Sequence, residues 1–178
     1  MFAKTARNMT RRVFFTSTGA AALSVGSAAT ARVPPGTDIS YTYEVTRSED
    51  EWIAMLNGEE YAIMREGYTE SPKSSPLWEE TRPGTYLCKG CDLPVFEGNW
   101  KVVLEKGWVF FEHAVPGSVM SNVDGPTPEY GAMADGKKAV IEKHCRRCGS
   151  HLGHLLIVDF DLLYCINGAS LTFEAQTA

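Results

Sequence analysis

Two patterns of apolar spacing divide the chain. In SEDEWIAMLNGEEYAIMREG, residues 48–67, Trp52, Met55 and Leu56 recur at helical spacing. Ser48, three residues ahead of Glu51, has the form of a capping box. Asn57-Gly58 breaks the run, residues 59–66 can form a second short helix, and Gly67 supplies its C-terminal stop. From Pro72 onward the apolar residues fall into short runs separated by Gly, Pro and Asn. TYLC (85–88), KVVL (101–104), GWVFF (107–111), GSVM (117–120), AVIEKHC (139–145), HLLIV (154–158), LLYCI (162–166) and SLTF (170–173) are candidate strands. Their spacing predicts antiparallel β structure. Residues 121–138, SNVDGPTPEYGAMADGKK, form a long polar connection.

The 178 residues fit one domain with a real core. Ahead of it, MFAKTARNMTRRVFF carries four basic residues and no acid, and residues 13–31 are uncharged. Arg11-Arg12 followed by Val13-Phe14-Phe15 resembles a bacterial twin-arginine export signal, and Ala29-Thr30-Ala31 has the small-x-small form of a cleavage site. A membrane anchor is the other reading of this segment, since 19 uncharged residues just reach across a bilayer. Ser, Thr, Gly and Ala dilute it, which favours a removed signal. The expected organisation is a signal over 1–31, a Pro/Gly-bearing linker over 32–45, one domain over 46–174 and a tail over 175–178. Removing the signal takes away four of 17 basic residues and none of 22 acids, leaving a net charge of −9. An acidic domain without a basic stripe is a poor nucleic-acid binder. The expected location is the bacterial periplasm, without stable membrane insertion once the signal is gone, as a monomer. The twin-arginine route carries folded proteins, often with a cofactor in place.

Five cysteines define the candidate chemistry. Cys88 and Cys91 in CKGC, with Cys145 and Cys148 in CRRC, form two C-x-x-C pairs. Two such pairs can surround one tetrahedral Zn²⁺ and staple distant strands together. Gly90 and Gly149 are expected to allow the tight turns. Disulfide or redox chemistry is the rival reading in an exported protein. Four cysteine ligands would close the metal site, leaving His151 and His154 outside it; they can be structural residues or catalysts. A second metal at HLGH lacks an evident third ligand. Cys165 is left over, as a buried small hydrophobe or a reactive thiol. Asn167, two residues on, could share its surface if the strand continues.

CKGCDLPVF, KGW, HCRRCGSHLGH and YCINGASLTF, in this order, resemble the zinc-containing B-type methionine-R-sulfoxide reductases. So do the upstream LNGEEYAIMREGYTE and SSPLWEETRPGTYLC, and the similarity runs from about Trp52 to Phe173. The resemblance implies a mainly β fold of two antiparallel sheets, of the Mss4-like or β-tent type, with short N-terminal helices. It implies structural zinc on Cys88, Cys91, Cys145 and Cys148, remote from the chemistry. Cys165 matches the nucleophile, and His151, His154 and Asn167 match active-site polar residues. Trp108 matches the tryptophan that receives the substrate methyl, and Phe111 matches a second substrate-binding aromatic. The implied reaction converts methionine-R-sulfoxide, free or in proteins, to methionine. Cys165 becomes a sulfenic acid that a thiol must reduce.

Three departures bear on that expectation. Lys106 stands where many relatives carry a resolving cysteine, so an external thiol, such as a thioredoxin-like protein, is expected. GWVFF replaces the usual G-W-P-S-F, keeping Trp108 and Phe111 but not the two residues between. HLLIVDFDLLYC shortens a loop and puts Leu163 in place of an arginine, which makes thiolate formation at Cys165 less favourable. These losses keep a second expectation open, a catalytically degenerate zinc-stabilised binding domain of the same fold. A metal-dependent hydrolase built on HLGH is a third.

Overall fold

A computed structural model describes residues 41–124 and 140–177. The expected signal, most of the linker and most of the polar connection lie outside them. All described residues belong to one compact unit, Arg32–Ala178. Among them, no helix is long and apolar enough to cross a membrane.

Helix α1 spans Glu49–Met55 and α2 spans Gly58–Glu66. The capping box forms as expected: Ser48 Oγ accepts from the Glu51 N–H, and the Glu51 carboxylate accepts from the Ser48 N–H. Asn57 interrupts the run because it caps α2 in the same reciprocal way with Glu60. Gly67 ends α2 in the left-handed conformation (φ 73°), where a side chain would be strained.

Among the described residues nine strands follow: β1 (Gly84–Cys88), β2 (Pro94–Glu97), β3 (Lys101–Val102), β4 (Val109–Phe111), β5 (Val119–Asp124), β6 (Val140–Cys145), β7 (His151–Val158), β8 (Asp161–Ile166) and β9 (Leu171–Ala175). They build a three-stranded sheet, β2-β1-β9, and a six-stranded sheet, β3-β4-β8-β7-β6-β5. Every pairing is antiparallel. The mainly β fold of two antiparallel sheets with two short helices is therefore the observed one.

Two details differ from the sequence expectation. The polar connection begins later than residue 121, because β5 runs on to Asp124, paired residue by residue with β6. Its polar composition is that of an edge strand, whose backbone is satisfied by one neighbour while its side chains meet water. Strand β2 was missed because Pro94 breaks a short apolar run. As the first residue of an edge strand, that proline removes no ladder bond.

The six-stranded sheet has two unlike faces, as the period of two requires. Val109, Phe111 and Ile166 point into the core shared with the three-stranded sheet and α2. There Phe111 stacks on Phe96 with ring centroids 4.3 Å apart, and Tyr86 meets Phe111 edge-on at 5.0 Å. The other face carries a second buried cluster of Phe110, Leu163 and Cys165, with Val102, Leu104, Trp108, Leu156 and Val158 around it.

Candidate active site and metal centre

The two C-x-x-C pairs sit in equivalent turns at one end of the two sheets. Cys88 closes β1, its carbonyl accepts from the Cys91 and Asp92 N–H groups, and its own N–H returns to Leu93 O. Cys145 closes β6, its carbonyl accepts from the Gly149 N–H, and its own N–H returns to Ser150 O. The fifth residue of each turn is left-handed: Asp92 at φ 57° and Gly149 at φ 70°. Gly149 therefore acts as expected, whereas in the first turn Asp92, a residue type tolerated there, takes the strained position instead of Gly90. Gly90 is needed for close approach, since a Cβ on it would stand 2.9 Å from Ser150 Oγ and 3.2 Å from Cys148 Sγ.

All four sulfurs lie within 4.8 Å of one another. Cys88 Sγ is 3.7 Å from Cys148 Sγ, and Cys91 Sγ is 3.5 Å from Cys145 Sγ. A tetrahedron with Zn–S bonds of about 2.3 Å has S···S edges of about 3.8 Å. The spacing fits a ZnS₄ cage and is far too long for disulfides, and all five cysteines are free thiols. Hydrogen bonds from Cys145, Cys88 and Cys91 hold the Cys148 thiol well below its ordinary range, while hydrogen bonding to the other thiols pushes Cys88 and Cys145 up. Because one pair comes from each sheet, a metal held here ties the sheets together.

The candidate nucleophile lies on the opposite face from the inter-sheet core. Cys165 on β8 pairs in register with His154 on β7 and with Phe110 on β4. His154 pairs in turn with Glu142 on β6. Glu142, His154, Cys165 and Phe110 thus form one cross-strand row, in which directly opposite side chains share a face with Cβ atoms about 4.5–5.5 Å apart. Cys165 sits at a boundary, with imidazoles and carboxylates to one side and apolar residues to the other. It is 7% exposed. Burial pushes its thiol up to about 12, and the negative charge of Glu70 adds to the shift.

His151 and His154 each have a carboxylate partner. Glu142 Oε1 lies 2.7 Å from His151 Nδ1, and Asp124 Oδ2 lies 3.3 Å from His154 Nε2. The two rings are 5.2 Å apart. Burial drives the His154 pKa down, the neighbouring His151 adds to this, and Asp124 opposes it. Burial would raise Glu142, but the hydrogen bond with His151 and the charges of His151, His144 and His154 together outweigh it and hold the carboxylate low. Between the histidines, Gly153 lets β7 approach β8: a Cβ there would stand 2.1 Å from the carbonyl oxygen of Cys165.

Asn167 lies just past the end of β8 at Ile166, its backbone N–H still paired to Leu152 O. Its side chain accepts from the Glu70 N–H at 3.0 Å and donates to Leu152 O at 3.1 Å. Trp108 packs against the Cys165 cluster and donates its indole N–H to Glu70 O at 3.2 Å. Phe111 is not brought to the site. Pleating turns it to the inter-sheet core, while Phe110, its neighbour, pairs with Cys165.

Sequence reasoning missed Glu142, Asp124, Gly153 and Glu70. Glu142 had a faint signal, since alternation in VIEKHC puts it on one face with His144. Glu70 had none in its spacing.

The SelR domain model matches residues 56–175. The peptide methionine sulfoxide reductase MsrB of Agrobacterium fabrum is 36% identical over 135 residues, covering 74% of this chain and 93% of that protein. MsrB of Herminiimonas arsenicoxydans is 35% identical over 138 residues, covering 75% and 94%. Peptide methionine sulfoxide reductase B3 of Arabidopsis thaliana is 31% identical over 157 residues, covering 85% and 79%.

Proposed function

The chain belongs to the SelR-domain family of peptide methionine sulfoxide reductases, and on that premise we propose that it reduces methionine-R-sulfoxide with Cys165 as nucleophile. The observation that carries this reading is the row Glu142–His154–Cys165–Phe110, with every other cysteine gathered in the metal quartet.

Cys165 enters as a thiol, because burial holds its proton. His154, kept neutral by its own burial, takes that proton and delivers it to the sulfoxide oxygen as the sulfur is attacked. Asp124 and Glu142 orient the two imidazoles. The S–O bond breaks, the oxygen passes to Cys165, methionine leaves, and Cys165 is a sulfenic acid. Two equivalents of an external thiol then return it to the thiol, releasing a disulfide and water. No internal thiol serves, since the other four cysteines of the chain form the quartet. Trp108 and Phe110 supply the apolar side, where the methyl group rests, and the imidazoles face the oxygen. This polarity across the row is the basis for selecting one epimer.

Zn²⁺ bound by Cys88, Cys91, Cys145 and Cys148 supplies a structural cross-link. On the same footing, the Arg11-Arg12 segment is read as an export signal and the compartment as the periplasm, which cell fractionation of the full chain tests.

Turnover of epimer-resolved sulfoxide with dithiothreitol tests the function. The R epimer is consumed by wild type and not by Cys165→Ser. Activity that survives Cys165→Ser, or that consumes only the S epimer, overturns the reading.

A further inference from the structure

Glu70 is 3% exposed, yet its hydrogen bonds converge on residues of the candidate site. Its carboxylate accepts from the Gly168 N–H at 2.6 Å and from the Ala169 N–H at 2.9 Å. Its own N–H donates to Asn167 Oδ1 at 3.0 Å, and its carbonyl accepts from the Trp108 indole N–H at 3.2 Å. We propose that Glu70 is a positioning residue: it joins the Trp108 wall to the chain that leaves Cys165, fixing the width of the space where the sulfoxide methyl binds. The inference rests on the roles given above to Cys165 and Trp108.

The physical case has three parts. First, a buried carboxylate is costly unless its oxygens are satisfied, and here both oxygens are satisfied by successive backbone N–H groups just beyond Cys165-Ile166-Asn167. The interaction is therefore specific to that segment's conformation. Second, the segment cannot drift toward the other side. Gly168 is pressed so closely on Ser75 that a Cβ would stand 2.3 Å from Ser75 Oγ. The chain is clamped between Ser75 and Glu70. Third, Trp108 lies outside β4, so the strand ladder does not set its ring. Its indole N–H is held by the carbonyl of the residue whose carboxylate holds the clamped segment. Loosening the carboxylate frees Glu70, and the tryptophan moves with it.

Glu70→Gln keeps the shape but turns one oxygen into an NH₂ facing a backbone N–H. The readout is kcat/KM for methionine-R-sulfoxide against ethionine-R-sulfoxide, with zinc content and thermal midpoint measured alongside. A site that fits a methyl discriminates against one extra methylene by about tenfold or more. In Glu70→Gln that ratio is expected to fall to about twofold, as in Trp108→Phe, and the double variant falls no further because the two act on one contact. Loss of stability alone would lower both substrates equally. An unchanged ratio in a folded, zinc-containing Glu70→Gln, with Cys165→Ser inactive, overturns the inference and leaves the proposed function standing. Retained activity in Cys165→Ser fails the function itself. Should Glu70→Gln not fold, Glu70→Asp, whose shorter arm keeps the charge but cannot reach both N–H groups, gives the same comparison. Should neither fold, hydrogen exchange at the Trp108 indole of wild type decides: protection like that of core amides supports the anchor, and exchange as fast as a free indole overturns it.

Discussion

Replacing Leu163 by arginine should make Cys165 more reactive, by an amount the strand geometry sets. Leu163 and Cys165 lie two residues apart on β8, on one face and in one buried cluster. Two residues of strand span about 6.6 Å, so a guanidinium at 163 stands about 7 Å from the sulfur. At an effective dielectric constant of about 20, that separation is worth about 2.4 kcal/mol to the thiolate. Dividing by 1.36 kcal/mol per unit gives a drop of about 1.7 units. The thiol, pushed up to about 12 in the wild type, should then titrate near 10, with about fifty times more thiolate at pH 8. The assay is the rate of iodoacetamide addition to the peptide containing Cys165, followed by mass spectrometry in zinc-loaded protein between pH 7 and 11. The wild-type rate should climb tenfold per pH unit without levelling, and Leu163→Arg should bend near pH 10. A wild-type plateau below pH 9 would refute burial as the controlling effect. An unmoved midpoint in a folded Leu163→Arg would refute the electrostatic step.

Gly153→Ala should cost about 1–3 kcal/mol in urea unfolding and abolish most turnover, because the new Cβ would meet the carbonyl of Cys165 at 2.1 Å and must push β7 from β8. Stripping the metal with a strong chelator, or Cys91→Ser, should lower the thermal midpoint by at least about 10 °C, since one pair of ligands comes from each sheet; an unshifted midpoint would deny the metal a structural role. Acid should destabilise the fold through His154. Its folded pKa lies below the unfolded 6.5, so its contribution is complete above pH 6.5 and is lost as pH falls below it. His154→Gln should flatten that acid limb in pH-dependent unfolding. Cys165 has the opposite sign. Its folded pKa is raised from 9.0 to about 12, so wild type should lose stability relative to Cys165→Ser as pH rises above 9.

Short-range features were legible in the chain itself. The capping box at Ser48 and Glu51, the stop at Gly67, most of the strands and the metal quartet follow from residue type and spacing. Such signals act through local backbone chemistry or through ligand geometry that recurs wherever it is used. Facing and distance were decided only by the tertiary structure. Phe111 rather than Phe110 was expected at the site, yet the pleat turns Phe111 into the core, because only the strand's registration against β8 fixes which residue meets Cys165. Asn167 was expected to extend the strand beside Cys165, but β8 ends one residue earlier, and only the fold pairs its amide with the Glu70 N–H and Leu152 O. The carboxylates of Glu142, Asp124 and Glu70 reach the site from three separate segments. Their burial and pairing depend on which strands and loops become neighbours, and sequence spacing carries no record of that.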